Sequence, residues 1–261
     1  MQKIMSMPNG WFAGDDEYNT AKQKMLKSVY ENGGFWVGRY EAGIEKESDI
    51  RTDNKEGRTT VPSLIPITKP NVYPYNYVSR TQAKVLAERV EGENYTSSLM
   101  YGIQWDLMLK FIEEKTVENA KDVDKETTRT DIKSALKSNS KYNNKIIGNY
   151  YDNLWNITNS KAKYATNFGR IFTACPYEKK SDAFVLLTTG ADENFSLMNI
   201  YDIAGNVWEW TLEFENFSHP CVFRGGSAQI NTNCPAGDRY HDPGDPGYCS
   251  DEIGFRVALW K

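Results

Sequence analysis

The chain has 261 residues, of which 39% are hydrophobic and 13% aromatic, enough apolar material to fill a core. Its net charge of −4 with both signs dispersed excludes a basic surface for nucleic acid, and no segment approaches the roughly 18 apolar residues of a membrane helix. We therefore expect a soluble protein that neither binds nucleic acid nor inserts into a membrane. The first residues lack a charged stretch followed by an apolar run, so no secretory signal is predicted.

The first 114 residues are predicted to contain three helices and one strand. Residues 15–30 begin with acidic residues and carry lysines later, the charge order that favours a helix. Residues 34–45 alternate bulky with small or charged side chains, which predicts a strand that buries Phe35, Val37 and Tyr40. Ser79 or Thr81 would cap the next helix. Residues 96–114 predict a further helix with a stripe of Leu99, Ile103, Trp105, Leu109 and Ile112.

The remainder of the chain is predicted to be irregular. Residues 115–170 are rich in Lys, Asn, Thr and Ser and predict a solvated polar insertion with one short helix at residues 130–138. From Phe184 onward, short strands punctuated by Gly, Asn and Pro replace the helical pattern, and no helix is expected there. With no internal repeat and no linker, residues 1–261 are expected to form one α+β domain.

Cysteine and histidine are too sparse for the common metal sites. The two histidines, His219 and His241, cannot form a histidine-rich centre, and the four cysteines contain no CxxC pair. Those cysteines are Cys175, Cys221, Cys234 and Cys249. They allow three complete disulfide pairings, one of which contains a Cys234–Cys249 bond, and sequence does not choose among them. In a reducing compartment all four would be free thiols.

The segment "NIYDIAGNVWEWTLE", residues 199–213, is the most distinctive stretch of the chain. Its Gly-Asn pair turns the backbone, and Trp208 and Trp210 then point to one face of an extended segment. Two interpretations of Glu209 remain open. It lies on the opposite, solvated face of a core strand, or it joins Asn206 and nearby carbonyls around a structural calcium ion, since calcium takes oxygen ligands from irregular loops.

Four motifs occur in an order that resembles the formylglycine-generating-enzyme family. They are "GFWVGRYEAG", "YDIAGNVWEW", "FRGGS" and "IGFRVAL", and the resemblance spans about residues 35–260. It implies a C-type-lectin-like α+β fold, with helices in the N-terminal half and an irregular, loop-rich strand region in the C-terminal half. Family members that oxidise a sulfatase cysteine hold copper with a cysteine pair shortly after GGS, because thiolates suit that soft metal. Here Ile230 replaces the first cysteine and only Cys234 is near, so the resemblance does not imply that activity.

The window between FRGGS and IGFRVAL, residues 228–252, also resembles the variable region of proteins diversified by retroelements. In those proteins AAC or AAT template codons are mutated at their adenines, which cannot produce Lys, Glu, Gln, Met or Trp. Within the window only Gln229 and Glu252 belong to these five types. The alternative interpretation is an ordinary surface loop, which the Gly, Pro, Asp and Asn content also favours.

The resemblance divides residues 224–260 into a fixed frame and changeable positions. The frame, with the two tryptophans, is Trp208, Trp210, Arg224, Gly225, Gly226, Arg239, Gly254, Phe255 and Arg256. We expect the glycines to bend the backbone and the arginines to tie loops by bidentate hydrogen bonds. The changeable positions, predicted to contact ligand, are Ala228, Gln229, Ile230, Asn231, Asn233, Cys234, Asp238, Tyr240, His241, Asp242, Asp245, Tyr248, Cys249 and Asp251.

These expectations favour a binding protein over an enzyme. A lone catalytic role for His241 is disfavoured, because no motif pairs it with an orienting carboxylate and a nucleophile. We expect a retroelement-diversified receptor-binding or adhesin protein on a phage virion or a bacterial cell surface. It would recognise a protein or glycan on a cell surface, form a homo-oligomer by analogy and require no cofactor, a structural calcium ion at Asn206 and Glu209 being one of the two open interpretations of that site. The alternatives are a metal-dependent oxidase of the same family and a purely structural tail or surface domain.

Overall fold

The computed structural model describes residues 15–57, 60–90, 92, 94–120, 124–216, 218–241 and 245–261. The N-terminal stretch on which the expectation about a secretory signal rests lies outside the described residues. No helix in the described part of the chain is both long enough and apolar enough to cross a membrane.

Four α-helices and many short strands give the described part of the chain an α+β architecture. The helices α1 to α4 are Asp15–Asn32, Arg80–Glu88, Gly102–Asn119 and Lys125–Ser134. The strands β1 to β17 are Trp36–Val37, Gly43–Ile44, Tyr73–Pro74, Thr96–Leu99, Lys141–Tyr142, Lys145–Ile146, Trp155–Ile157, Lys163–Ala165, Thr173–Ala174, Tyr177–Lys179, Leu186–Leu187, Ser196–Leu197, Ile200–Tyr201, Trp208–Trp210, Phe223–Arg224, Ile253–Phe255 and Val257–Trp260. Short turns of 3-10 helix lie at Glu47–Asp49 and Glu193–Phe195, and a π-helical turn spans Ala135–Asn139.

Two of the predicted helices form where the sequence places them. The α1 helix covers the predicted residues 15–30 and ends two residues beyond them. The α2 helix starts after Ser79, whose hydroxyl accepts from the backbone N–H of Gln82 while the Gln82 side chain accepts from the Ser79 N–H. This capping box satisfies two of the donors that a helix start leaves open, which decides between Ser79 and Thr81 as the cap.

The helix predicted over residues 96–114 begins later. Residues Thr96–Leu99 instead form β4, which pairs antiparallel with β17, and Leu99 lies opposite Val257. A strand pairing with a partner 158 residues away outweighs local helix propensity here. Within α3, Trp105, Leu109 and Ile112 are buried as the stripe predicts, whereas Ile103 is exposed.

The region predicted as a solvated insertion is partly core. Ile132, Leu136 and Tyr150 from residues 115–170 are fully buried and pack with Trp105 of α3. The expectation of a solvated segment is therefore wrong for these side chains. The polar composition of this region obscured its core positions, because α4 and the π-helical turn bury only one face and leave the other polar.

Sheet pairing brings the two ends of the domain together. The C-terminal strand β17 lies between β1 and β4, both antiparallel to it. A second three-stranded sheet places β14 between β15, antiparallel, and β16, parallel. The window of residues 228–252 is the connection from β15 to β16, so the central strand β14 supports both of its ends.

Candidate ligand-binding site

The window does not present all of its predicted contact residues to solvent. Ala228 is fully buried, and its N–H donates to the carbonyl oxygen of Asn206 at 3.0 Å. Its assignment as a ligand contact is therefore wrong, because the first residue after the FRGGS motif packs into the fold.

A second group of window residues is half-buried and engaged with the fold. This group is Gln229, Ile230, Cys234, Asp238, Tyr248, Cys249 and Asp251. Gln229 donates to the Asp251 carboxylate at 2.8 Å, and Ser227 donates to Glu252 at 2.7 Å. These two hydrogen bonds join the beginning of the window to its end, so both ends of the loop are fixed next to each other.

The remaining described positions face outward. Asn231, Asn233, Tyr240 and Asp245 are exposed, and His241 is half-buried. Asp242 lies outside the described residues. We call Asn231, Asn233, Tyr240, His241 and Asp245 the outward positions of the window.

Tyr240 is exposed yet rigidly mounted. Its side chain is 41% exposed, while its ring stacks on buried Trp208 at a centroid distance of 5.3 Å and contacts buried Phe223 at 5.4 Å. Two backbone hydrogen bonds, Phe223 N–H to Tyr240 O at 2.9 Å and the reverse at 3.1 Å, hold the strand-like bridge. A large aromatic surface is thus presented with little conformational freedom to lose.

Both histidines of the chain meet beside Tyr240. The rings of His219 and His241 lie 4.7 Å apart, and Nδ1 of His241 lies 2.5 Å from the Glu215 carboxylate. Sequence motifs assign no orienting carboxylate to His241, but the structure supplies Glu215. The two residues are 26 positions apart, and no spacing rule links them. Among the described residues, no group of three or more His, Cys, Asp or Glu side chains is placed to hold a metal ion.

Two frame arginines tie the window to α3 through shared acids. Arg224 is buried and donates to Glu213 at 2.9 Å, to Asp106 at 2.8 Å and to the Gly237 carbonyl at 2.8 Å. Arg239, with its side chain 51% exposed, donates to the other oxygens of the same acids at 2.6 and 2.5 Å. Each carboxylate therefore bridges two guanidinium groups, which fixes the middle of the window. Asp106 and Glu213 lie outside the four family motifs, and neither was predicted to take part in the site.

The glycines after Arg224 make the turn into the window. Gly225 and Gly226 have φ of 96° and 81°, a region that side chains rarely adopt. A Cβ on Gly226 would meet the Cys234 carbonyl oxygen at 2.6 Å and the Tyr150 ring at 2.8 Å. The backbone conformation and the close approach both require glycine at this position.

Glu209 is neither exposed to solvent nor placed to bind a metal ion. It is buried, and both carboxylate oxygens accept from Arg256, at 2.6 to 3.1 Å. The same guanidinium donates to the carbonyls of Gly38 and Tyr201 at 2.8 Å each. Opposite this pair in the sheet, Trp208 and Trp210 are buried and both contact Phe223. Strand β14 is thus covered on both faces, which the alternation of side chains alone does not reveal.

Two further buried carboxyl groups surround this ion pair. Burial, together with the charges of Asp202 and Glu209, raises the pKa of Glu41 well above its ordinary value. Burial likewise raises the pKa of Asp202 to about 7, against the lowering effect of the Gly190 N–H and Arg256. Burial lowers the pKa of Arg256, but Glu209 and the other carboxylates outweigh it and raise it. The cluster therefore holds one fixed positive charge and favours protonation of its spare carboxyl groups.

These contacts do not fit a structural calcium ion at Asn206 and Glu209. The Arg256 cation lies against both oxygens of Glu209, where it would repel a divalent ion. The Asn206 oxygen accepts from Leu187 N–H and the Asn149 amide, and its nitrogen donates to Glu41 at 2.8 Å. Asn206 instead joins three segments of the chain.

Two of the cysteines, Cys221 and Cys234, lie in surroundings that favour the neutral thiol. All four cysteines of the chain are free. Burial, reinforced by Asp238, raises the pKa of Cys234 to about 11, and burial raises that of Cys221 to about 11 despite nearby Arg80. A thiol with a raised pKa stays protonated at neutral pH, which disfavours nucleophilic attack.

Comparison with known proteins identifies one family. The model described as "Sulfatase-modifying factor enzyme 1-like domain" matches residues 110–260. Among solved structures, one titled "Crystal Structure of CarF" is similar over 99% of this chain and 85% of that chain, with 13% identity and a TM-score of 0.42. The comparison with curated proteins finds no significant match.

Proposed function

The chain belongs to the family of sulfatase-modifying factor enzyme 1-like domains, as the motifs predict, and from that premise we propose that it is a non-catalytic binding protein. Its ligand contacts would be the outward positions of the window. The remainder of the C-terminal half would serve as the frame that holds them.

This proposal depends on one observation, the rigid support of the partly exposed Tyr240 side chain. A side chain that is partly exposed, stacked on a buried tryptophan and bridged by two backbone hydrogen bonds is typical of a rigid aromatic anchor in a binding surface. The nearby His241 imidazole and the Asn231 and Asn233 amides add adaptable hydrogen-bonding groups. Preorganisation of this kind raises affinity because less conformational entropy is lost on binding.

The raised thiol pKa values support the non-catalytic part of the proposal. Copper sites and cysteine nucleophiles both require a thiolate. Ile230 stands where the family has the first copper-binding cysteine, and burial favours the neutral thiol at Cys234, the cysteine nearest to it in sequence.

The finer proposal is that the chain is a retroelement-diversified variable protein with a C-type-lectin-like arrangement. It would act as a receptor-binding protein or adhesin of a phage, prophage or bacterium and recognise a protein or glycan on a cell surface, as a homo-oligomer. The composition of the window supports this, because only Gln229 and Glu252 belong to the five residue types that mutation of AAC or AAT codons at their adenines cannot produce. Sequencing the flanking DNA tests it: a near-identical template repeat and a reverse transcriptase gene are expected, and the absence of both would contradict diversification.

Binding itself is tested by screening the full chain on protein and glycan arrays. We expect at least one ligand whose signal falls at least about tenfold in Tyr240→Ala/His241→Ala, because truncating an aromatic anchor typically costs more than 1.4 kcal/mol of binding energy. Tyr30→Ala is the matched control, since Tyr30 is an exposed tyrosine on α1 outside the window.

Three results would contradict the proposal. Equal loss of signal in the Tyr30 control would show that the effect is not specific to the window. Stoichiometric copper or iron in the purified protein, with oxidation of a cysteine-containing peptide, would favour the enzyme. If no window substitution alters any interaction, the structural alternative is favoured.

A further inference from the structure

The two histidines of the chain, His219 and His241, form a pair at the surface of the fold. Their ring centres lie 4.7 Å apart at an interplanar angle of 48°, so the rings are not stacked face to face. Both residues are half-buried, which leaves part of each side chain accessible to solvent. Because the chain contains no other histidine, every imidazole that it can offer to a ligand belongs to this pair.

Glu215 determines which nitrogen of His241 is available. Its carboxylate lies 2.5 Å from Nδ1, which donates its proton to the carboxylate in a hydrogen bond. In the neutral tautomer this leaves a lone pair on Nε2. A histidine that binds a metal ion almost always donates its other ring N–H to a carboxylate or a carbonyl, because that bond orients the ring and makes the ligating nitrogen more basic. The pair of Glu215 and His241 has this arrangement.

Backbone hydrogen bonds hold both histidines in place. The Asn216 side chain accepts from the backbone N–H groups of Ser218 and His219 at 2.9 Å each, and the Asn216 N–H donates to the His219 carbonyl at 3.3 Å. On the other segment, the residue before His241 is fixed to Phe223 by the two backbone bonds described above. Among the described residues, no group forms a hydrogen bond with the His219 imidazole, so no internal bond competes with a metal ion for its nitrogens.

The separation of the two rings matches that of two imidazoles on one metal ion. A metal–nitrogen distance of about 2.1 Å places the ring centre about 3.2 Å from the metal. Two such rings at an angle of about 90–109°, as in square-planar or tetrahedral coordination, have centres about 4.5–5.2 Å apart. The observed 4.7 Å lies within this range, so the two side chains can share one ion without movement of the backbone.

We propose that His219 and His241 form a two-imidazole site for a divalent transition metal ion of the class Zn²⁺, Ni²⁺ or Cu²⁺, with Glu215 as the positioning residue for His241. Imidazole is a preferred ligand of these ions, whereas Ca²⁺ and Mg²⁺ take oxygen ligands. The chain supplies two ligands and water fills the other positions, so the site differs from the three-ligand group that the described residues lack. The proposal does not depend on the binding function of the window.

The test is isothermal titration of the full chain, without a histidine tag, with zinc chloride and with nickel chloride. The wild type is compared with His219→Asn, His241→Asn and Glu215→Ala. Glu178→Ala is the matched control for the last variant, because Glu178 is an exposed glutamate outside the pair. Cys249→Ser removes a half-buried free thiol, the other kind of side chain that binds zinc. An unchanged melting temperature in the absence of metal shows that each variant folds.

We expect the wild type to bind one ion per chain, and an excess of calcium chloride should not displace it. Each histidine variant should weaken binding at least about tenfold, because it removes one of the two ligands, and Glu215→Ala should weaken it about 10–100-fold. Glu178→Ala and Cys249→Ser should change the dissociation constant less than about twofold.

Absence of saturable binding in the wild type would overturn the proposal. A loss confined to one histidine variant would do the same, since the ion would then lie on a single surface imidazole. Binding that is lost in Cys249→Ser and retained in His219→Asn would assign the ion to a thiol instead. Equal effects of Glu215→Ala and Glu178→Ala would contradict the positioning role of Glu215.

Discussion

Arg256 and Arg239 make similar ion pairs in different surroundings. Arg256 is buried with Glu209, whereas half of the Arg239 side chain is exposed to solvent. Removing one partner of a buried pair leaves an uncompensated charge and destabilises by about 3–5 kcal/mol, whereas exposed pairs contribute about 0–1 kcal/mol. We therefore expect Arg256→Met to lower the free energy of unfolding by several kcal/mol and Arg239→Met to lower it by less than about 1 kcal/mol.

Urea denaturation of both variants, which replace the same side chain with the same residue, measures this difference. Equal destabilisation would mean that the ion pair at Glu209 adds nothing beyond ordinary surface electrostatics. Such a result would remove Arg256 from the set of frame residues that hold the window.

Asp202 makes the stability of the domain depend on pH. Its pKa is raised by burial from 3.8 to about 7, so the folded state binds this proton more tightly than the unfolded chain does. The extra stability that this proton gives the folded state is fully present below about pH 4 and is lost as the pH rises toward 7. Asp202→Asn has no such proton and can still accept the Gly190 N–H through its side-chain oxygen.

The free energy of unfolding of Asp202→Asn should therefore increase relative to wild type between pH 5 and pH 8. The expected relative gain is about 1–3 kcal/mol, since each pKa unit corresponds to about 1.4 kcal/mol. Chemical denaturation at several pH values measures it. Parallel curves for the two proteins would show that Asp202 titrates normally.

At the scale of single elements, the start of α2 depends on its capping box. Ser79 is buried and its hydroxyl accepts the Gln82 N–H, whereas the hydroxyl of half-buried Thr81 makes only a long 3.4 Å bond to Pro246. Loss of an N-cap costs about 1 kcal/mol. We expect Ser79→Ala to destabilise the chain by about that amount or more, and Thr81→Ala by no more than half as much. Thermal denaturation compares them, and a larger effect at Thr81 would identify it as the true cap.

The same elements show how far sequence reasoning reaches. The α1 and α2 helices were predictable because their signals are local: charge order along α1 and capping residues before α2. The switch from strand β4 to helix α3 was not, because the reason for β4 is its pairing with β17 at the other end of the chain.

In the candidate site, too, features with a local sequence signal were predictable and those that depend on distant segments were not. The frame motifs locate the window, and Phe255 of the frame is buried. The pairing of His241 with Glu215, and the sharing of Asp106 between Arg224 and Arg239, arise only when distant segments meet. Burial of Ala228 likewise depends on the Asn206 carbonyl, which no window pattern reveals.

At the scale of the whole molecule, two buried apolar clusters share their boundary. One contains Trp208 and Trp210, the other contains Trp105 and Leu136, and the partly buried Ile230 of the window packs against both. A shared boundary couples the clusters, so the domain should unfold as one cooperative unit. The window is therefore held by both clusters.

Leu136 tests this coupling because it lies in the region predicted as a polar insertion. Leu136→Ala removes a fully buried side chain and should destabilise by about 2–5 kcal/mol, whereas Leu154→Ala, at an exposed leucine of the same region, should change stability by less than about 0.5 kcal/mol. Tryptophan fluorescence and far-ultraviolet circular dichroism should report one coincident transition that shifts equally in Leu136→Ala. If the two probes separate, the cluster around Leu136 unfolds on its own, and the support of the window would come from the Trp208 cluster alone.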